Sequence, residues 1–286
     1  MSNGREQEFQ LRTEQPEADP HEFRFVDHEP DSDLDWPEIA DTLLNAWRIT
    51  ANAFFEAEDT GFETDGISSR LNQFGADRLP ETPTEDQDVT KEVCVTDYTE
   101  VVASRYLNSQ FEHISFPYLR VLHKGLPTGV QHNGIDIIGY QEVDRGKHRL
   151  VVAEVMASVA DTSPPSTVTD HRKQLLDETL QPRPPKRLLR DLQTAHDEAT
   201  DPEARTVLNG FIAALASDKL FTRKHLGIGV LVRPSDAAST SDWNPFYNRR
   251  SEFEDATIPT ELHFGLIECD EQFSSLIERV KNTVTA

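Results

Sequence analysis

Cysteine is almost missing from the 286-residue chain, which holds only Cys94 and Cys269. Two cysteines form neither a disulfide framework nor a site of several metal-bound thiolates, so a disulfide-rich domain and a domain built on a cysteine-rich zinc site are both excluded. The sequence also lacks the run of about 20 apolar residues that a transmembrane helix needs. Its acidic first residues carry no apolar core of a secretory signal, so we expect a cytoplasmic protein without a membrane partner.

Three common active-site signatures are missing as well. The sequence contains no glycine-rich loop of the P-loop type, which excludes that route to ATP binding. No serine stands in a Gly-x-Ser-x-Gly frame, so the nucleophile of an α/β-hydrolase is not expected. The histidines are scattered without the spacing of a zinc site. Function must therefore be sought in other side chains.

Basic residues are few, since 28 Lys and Arg face 51 Asp and Glu, for a net charge of −23. Residues 1–100 hold 26 acidic and 7 basic residues, a net charge of −19, whereas residues 101–286 carry only −4. Such an acidic surface stays hydrated where salt screens charges within a few ångströms, which favours adaptation to a salt-loaded cytoplasm. Alternatively, the acidic N-terminal third repels or imitates nucleic acid, and composition does not separate these interpretations.

The patterning divides the chain into an N-terminal region, residues 1–94, and a domain over residues 95–286. Residues 1–33 are polar and acidic without periodicity, which predicts little order. Apolar residues at helical spacing predict one helix over residues 36–59. We therefore expect the N-terminal region to be acidic and partly disordered.

The second region alternates between helical and strand patterns. It opens with an amphipathic helix that begins at Asp97 and that Pro117 breaks or kinks. Strands are predicted over residues 134–140, 150–156, 226–233 and 262–269, and further helices over residues 166–180, 186–198, 202–219 and 271–284. This order predicts the α/β class, with a mixed central sheet flanked by helices.

The hairpin between the first two of these strands brings two carboxylates into register. Its loop, Asp144-Arg145-Gly146, suits a type I turn followed by a glycine in the left-handed conformation. A three-residue loop of this kind pairs Val143 with Lys147. Counting back along the ladder then places Asp136 directly opposite Glu154, on the same face of the hairpin.

Two carboxylates about 5 Å apart repel each other and are stable together mainly with a cation between them. Hard oxygen ligands suit Mg²⁺ or Mn²⁺, which would hold a phosphate and lower the pKa of an attacking water. A two-residue loop would instead pair Asp136 with Val155 and turn the acids to opposite faces. Each acid alone is explained equally well by a solvent-facing strand position. The pair, within otherwise apolar strands, favours a metal site.

These residues also carry a family resemblance. The segment Gly-x-Asp136-x-x-Gly-Tyr, followed by a hairpin and by Glu154-Val-x, resembles the core of the PD-(D/E)XK nucleases. In that core an Asp begins one strand and Glu-x-Lys lies on the next. The order of elements over about residues 95–285 is most similar to the HamA nuclease subunit of the Hachiman antiphage defence system.

The resemblance implies a restriction-endonuclease-like core that hydrolyses DNA in antiviral defence. It implies that Asp136 and Glu154 bind Mg²⁺ or Mn²⁺, and that a helicase partner protein restrains the nuclease. Glu100 corresponds to a helix acid that many such nucleases use as a further metal ligand. However, Asp97-x-x-Glu100 is also a capping box, and this is the interpretation that we prefer.

The sequence departs from the family at one position, because Met156 stands where the motif has lysine. A thioether neither carries a charge nor donates a hydrogen bond. Lys173, on the next predicted helix, has a stem long enough to replace that lysine, or it lies on a solvated helix face. The basic run at residues 183–190 either contacts a nucleic-acid backbone or starts a helix after a proline break.

Three hypotheses follow from these observations. The first is an active nuclease in which Lys173 or a partner supplies the missing positive charge. The second is a catalytically degenerate nuclease fold that binds nucleic acid or a partner, which Met156 favours. The third is an acidic α/β interaction protein without a role in nucleic-acid chemistry, which would gain support if Asp136 and Glu154 faced apart.

Overall fold

A computed structural model describes the chain over residues 9–14, 22–28, 88–120, 134–169, 186–217, 225–248 and 260–269. The strands in these ranges are β1 (Phe9–Glu14), β2 (Glu22–His28), β3 (Ile114–Leu119), β4 (Ile137–Asp144), β5 (Lys147–Ala157), β6 (His225–Pro234) and β7 (Thr260–Cys269). The helices there are α1 (Asp88–Gln110), α2 (Lys186–Glu198), α3 (Pro202–Ala216) and α4 (Asn244–Tyr247), and a 3-10 turn (Thr240–Trp243) precedes α4. None of the described helices is long and apolar enough to cross a membrane.

The described strands form one mixed sheet in the order β1-β2-β7-β6-β5-β4-β3. Strands β2, β7, β6 and β5 pair in parallel, whereas β3, β4 and β5 pair antiparallel, as do β1 and β2. The predicted α/β class with a mixed sheet is therefore confirmed. The helix predicted over residues 186–198 is present with the predicted ends, and the predicted strands and the helix predicted over residues 202–219 are present with slightly different ends.

Two strands lie where the sequence had predicted little order. β2 pairs with β7 along its whole length, from Glu22 beside His263 to His28 beside Cys269. The prediction for residues 1–33 was therefore wrong at β1 and β2. Apolar and charged residues alternate over only a few positions of β2, which is too short a pattern to predict a strand. The strand forms because β7 pairs with it.

The first described helix is longer than predicted. α1 begins at Asp88, so Asp97 and Glu100 lie inside it and the predicted capping box is wrong. The predicted division between residues 94 and 95 also falls within this helix. Pro117 neither breaks nor kinks α1, because the helix ends at Gln110 and Pro117 lies in β3. It is tolerated there since the β3–β4 register shifts between Ser115 and Tyr118.

Alternate residues of the central strands pack against different layers. On one face, α1 packs against residues such as Ile137 and Val155. On the other face, α2 and α3 cover the first half of β5, including Leu150 and Val152. Further along that face lies the Trp243 cluster, which comprises Met156, Val168, Leu231, Trp243, Phe246, Leu262, Phe264 and Leu266. This alternation is the two-residue period of a strand that is buried on both faces.

The β4–β5 hairpin has the predicted register but a different loop. Ile137 pairs with Ala153, and the same register continues to the pair of Glu142 with His148. The predicted pair of Val143 with Lys147 is wrong, because Lys147 pairs with Asp144. A one-residue shift before Asp144 compensates for the shorter loop, in which Gly146 has a φ of 70°.

Several predictions fall outside the described residues. These are the helices over residues 36–59 and 271–284 and most of the helix over residues 166–180, of which residues 166–169 are described and helical. Lys173 belongs to that undescribed part.

Candidate active site where β4 and β5 diverge

Asp136 occupies the point at which β4 and β5 separate. It directly precedes β4, and its Oδ2 accepts a hydrogen bond of 2.7 Å from the backbone N–H of Val155. Its backbone oxygen accepts a second bond of 2.8 Å from the N–H of Arg120, one residue beyond β3. The carboxylate of Asp136 therefore accepts the backbone N–H of β5 that no longer pairs with β4. Together the two hydrogen bonds fix Asp136 between the ends of β3, β4 and β5.

Arg120 joins two of the predicted site residues. Its Nη1 lies 2.8 Å from Oδ1 of Asp136. Its Nε donates to Oε1 of Glu100 over 2.9 Å, and its Nη2 contacts the same oxygen. Burial lowers the pKa of the guanidinium, but the charges of Asp136 and Glu100 outweigh this effect and raise it, so Arg120 stays protonated. Glu100 is thus the partner of a half-buried arginine.

Glu154 lies beside Asp136 and is almost fully buried, with 2% of its surface exposed. Burial raises the pKa of its carboxyl well above the ordinary value, and the charge of Asp136 raises it further. The positive charges of Arg120 and Arg187 act in the opposite direction but do not restore it. In the protein alone, Glu154 therefore favours its protonated form, and an added cation would favour the ionised form.

The N-terminal half of α2 lies next to this cluster. Asp191 accepts a hydrogen bond of 3.3 Å from the N–H of Ile135, just before Asp136. It also contacts Nη2 of Arg190 at 2.9 Å and Nε of Arg187 at 4.0 Å. The described part of the predicted basic run, residues 186–190, forms the start of α2. Two of its arginines hold Asp191 against the chain that leads to the site.

Met156 lies two residues beyond Glu154 but has apolar surroundings. Its side chain is 2% exposed and packs in the Trp243 cluster, with neighbours that include Leu231 and Trp243. The structure thus brings Glu100, Asp136 and Glu154 together around Arg120. It places Met156 in the core.

The donor set of this site can be compared with what Mg²⁺ requires. No group of three or more His, Cys, Asp and Glu side chains in the described ranges has the arrangement of a metal site. Mg²⁺ is often held by one or two carboxylates only, with water and phosphate oxygens completing its shell. Asp136 and Glu154 fit this mode, because they are adjacent carboxylates and a bound cation would favour the ionised form of Glu154. Glu100 fits less well, since Arg120 already binds it.

Sequence reasoning missed Arg120 and Asp191. Arg120 contacts residues 20 and 16 positions away, and no motif indicates such contacts. Asp191 did leave a signal, because it stands among Leu188, Leu192 and Ala195 on the buried side of α2. A charged residue on the apolar face of a helix usually has a partner.

The free energy of unfolding should depend on the ionisation of Glu154. In EDTA, the folded protein keeps the Glu154 proton above the pH at which the unfolded chain loses it, so stability falls as the pH rises above about 4.5. The largest slope is about 1.4 kcal/mol per pH unit. Glu154→Gln should flatten this slope and raise stability at pH 7. Urea unfolding at pH 5, 6 and 7 measures it.

The control for this experiment is Glu112→Gln, at an exposed position before β3. It should leave the slope unchanged. Equal slopes for the wild type and Glu154→Gln would show that burial does not hold the proton on Glu154.

Comparison with known proteins does not assign the chain to a family. No family model matches the sequence, and no match was found among the curated proteins.

Proposed function

We propose that this protein is a metal-dependent nuclease of the PD-(D/E)XK type that hydrolyses phosphodiester bonds in DNA. The observation that carries the proposal is the pair of Asp136 and Glu154, two buried carboxylates held side by side where β4 and β5 diverge. Two adjacent buried carboxylates repel each other and lose their hydration, which destabilises the fold. A cation bound between them would offset this loss of stability.

The two carboxylates have distinct tasks in this proposal. Asp136 is fixed by Arg120 and by the N–H of Val155, so it presents a rigid ligand. Glu154 ionises when the site fills, and it then orients the attacking water and accepts its proton. Bound Mg²⁺ or Mn²⁺ would supply Lewis-acid chemistry and a lowered pKa for that water. The water oxygen bonds to phosphorus, the bond to one ester oxygen breaks, and that oxygen takes a proton from solvent.

The surrounding elements support a restriction-endonuclease-like core. An antiparallel β3–β4–β5 unit continues into parallel β6 and β7, and α1 packs on one face and carries Glu100, which pairs with Arg120. We also propose that the protein acts in the cytoplasm in antiviral defence, restrained by a helicase partner. The support for that part is the similar order of elements over about residues 95–285, together with the acidic composition of residues 1–100.

One observation favours a second candidate function. Met156 occupies the motif position of the lysine and belongs to the apolar Trp243 cluster. This is the arrangement expected of a catalytically degenerate nuclease fold that binds nucleic acid or a partner without cutting it.

Cleavage of plasmid and single-stranded DNA with Mg²⁺ or Mn²⁺ in high salt tests the proposal. The wild type should cut, and Glu154→Gln and Asp136→Asn should each lose at least about 100-fold in rate, equivalent to about 2.7 kcal/mol of transition-state stabilisation. Glu112→Gln serves as the control for an exposed acid and should cut like the wild type. If the wild type binds DNA but cuts none, even with candidate partners added, the degenerate function replaces the nuclease.

A further inference from the structure

The proposed reaction needs a positive charge at the scissile phosphate, because negative charge grows on its oxygens as the water attacks. Position 156 does not provide one. Met156 is uncharged, and its side chain packs among the aromatic and aliphatic residues of the Trp243 cluster.

Arg120, the residue that follows β3, meets the geometric requirement. Its guanidinium contacts Asp136 directly and interacts electrostatically with Glu100 and Glu154. It is therefore next to both carboxylates that would hold the metal and the water. Its side chain remains 17% exposed, so a ligand can reach it from solvent, whereas Glu100 behind it is fully buried.

The chemistry of the side chain fits the task as well. A guanidinium presents five N–H groups in a plane, which allows it to hold a carboxylate and a phosphate oxygen at the same time. A salt-loaded environment does not remove this contact, because partly buried pairs are screened much less than exposed ones.

We propose that Arg120 binds a non-bridging oxygen of the scissile phosphate and so replaces the lysine of the Glu-x-Lys motif. This inference rests on the proposed nuclease function. Glu100 is then a positioning residue, since it holds the Nε edge of Arg120 and leaves the opposite edge directed toward Asp136. The positive charge is thus supplied by the residue that follows β3, a part of the chain that the sequence motif does not include.

The experiment compares the wild type with Arg120→Lys, Arg120→Met and Glu154→Gln. Cleavage rates are measured on ordinary DNA and on DNA with phosphorothioate linkages, in which sulfur replaces one non-bridging oxygen. Arg120→Met should lower kcat by about 100-fold or more, and Arg120→Lys by about 10-fold, with a smaller change in KM. The ratio of the cleavage rate on ordinary DNA to that on phosphorothioate DNA should also be smaller in Arg120→Met, because this variant lacks the guanidinium that binds the substituted oxygen.

Loss of folding is separated from loss of chemistry by a matched variant. Arg120→Met leaves two buried acids without their partner, so Glu100→Gln combined with Arg120→Met removes one of those charges as well. Urea unfolding identifies which variants are folded before their rates are compared.

Two results would overturn the inference while the nuclease function stands. In the first, a folded Arg120→Met variant cuts within about threefold of the wild type while Glu154→Gln is inactive. In the second, Arg120→Met is slow but its phosphorothioate ratio equals that of the wild type, which makes Arg120 a support for Asp136 only. A wild type that does not cut at all removes the nuclease function, and this inference with it.

Discussion

Asp242→Ala is expected to lower the free energy of unfolding by about 3–5 kcal/mol, because it leaves a buried arginine without its counter-ion. Arg233 and Asp242 are both fully buried, and Nη1 of Arg233 donates to both carboxylate oxygens of Asp242 at 2.8 Å. Oδ2 of Asp242 also accepts the N–H of Ser239 at 3.0 Å, which caps the 3-10 turn. The substitution therefore removes an ion pair and a cap together.

Urea unfolding at pH 7 measures this effect, with Asp236→Ala as the control. Asp236 is an exposed acid in the same connection, and its loss should change stability by no more than about 0.5 kcal/mol. The double variant Arg233→Met with Asp242→Leu should be more stable than Asp242→Ala alone, because no unpaired charge is left. A loss below about 1 kcal/mol for Asp242→Ala would mean that water reaches Arg233.

This ion pair also bears on the candidate site. Arg233 lies near the end of β6 and donates to the backbone oxygens of Ala160 and Thr162, just beyond β5. It therefore anchors the chain that follows Glu154. Because Arg233 is fully buried among Asp242 and these carbonyl oxygens, it serves as a support of the site, whereas Arg120 is partly exposed and is the better placed arginine for a phosphate.

The register of the hairpin was predictable from local sequence. A glycine at the left-handed position fixes where the chain turns, and the two-residue period of a strand then fixes which side chains share a face. These rules predicted the register that places Asp136 beside Glu154, but they assumed a three-residue loop, and the observed two-residue loop keeps that register only because of the shift before Asp144.

The rest of the site depends on contacts that local patterns do not encode. The motif Asp97-x-x-Glu100 has the form of a cap, but the preceding turns of α1 extend the helix beyond it. Arg120 follows a strand that contains a proline, and that strand forms only because β4 offers it an edge with a shifted register. Gly139 is part of this fit, since a Cβ there would lie 2.4 Å from the backbone oxygen of Ser115.

Met156→Lys should destabilise the protein at pH 7 by about 4–5 kcal/mol, even though it recreates the family motif. A lysine in the Trp243 cluster would be held neutral, whereas the unfolded chain binds a proton up to a pKa of about 10.4. The unfolded state then carries the extra proton, so the loss of stability shrinks by about 1.4 kcal/mol for each unit of rising pH. Urea unfolding at pH 7, 8 and 9 measures both the loss and its slope.

Met156→Leu is the matched control, and its similar volume should limit the cost to less than about 1.5 kcal/mol. Cleavage by Met156→Lys should not exceed that of the wild type if position 156 belongs to the core. The opposite result, a stable Met156→Lys variant that cuts faster, would mean that the lysine reaches Glu154 and Asp136 and is ionised there. The motif position would then be a silenced part of the active site. The expected result instead leaves the site's positive charge with Arg120, because a side chain at position 156 is directed into the Trp243 cluster.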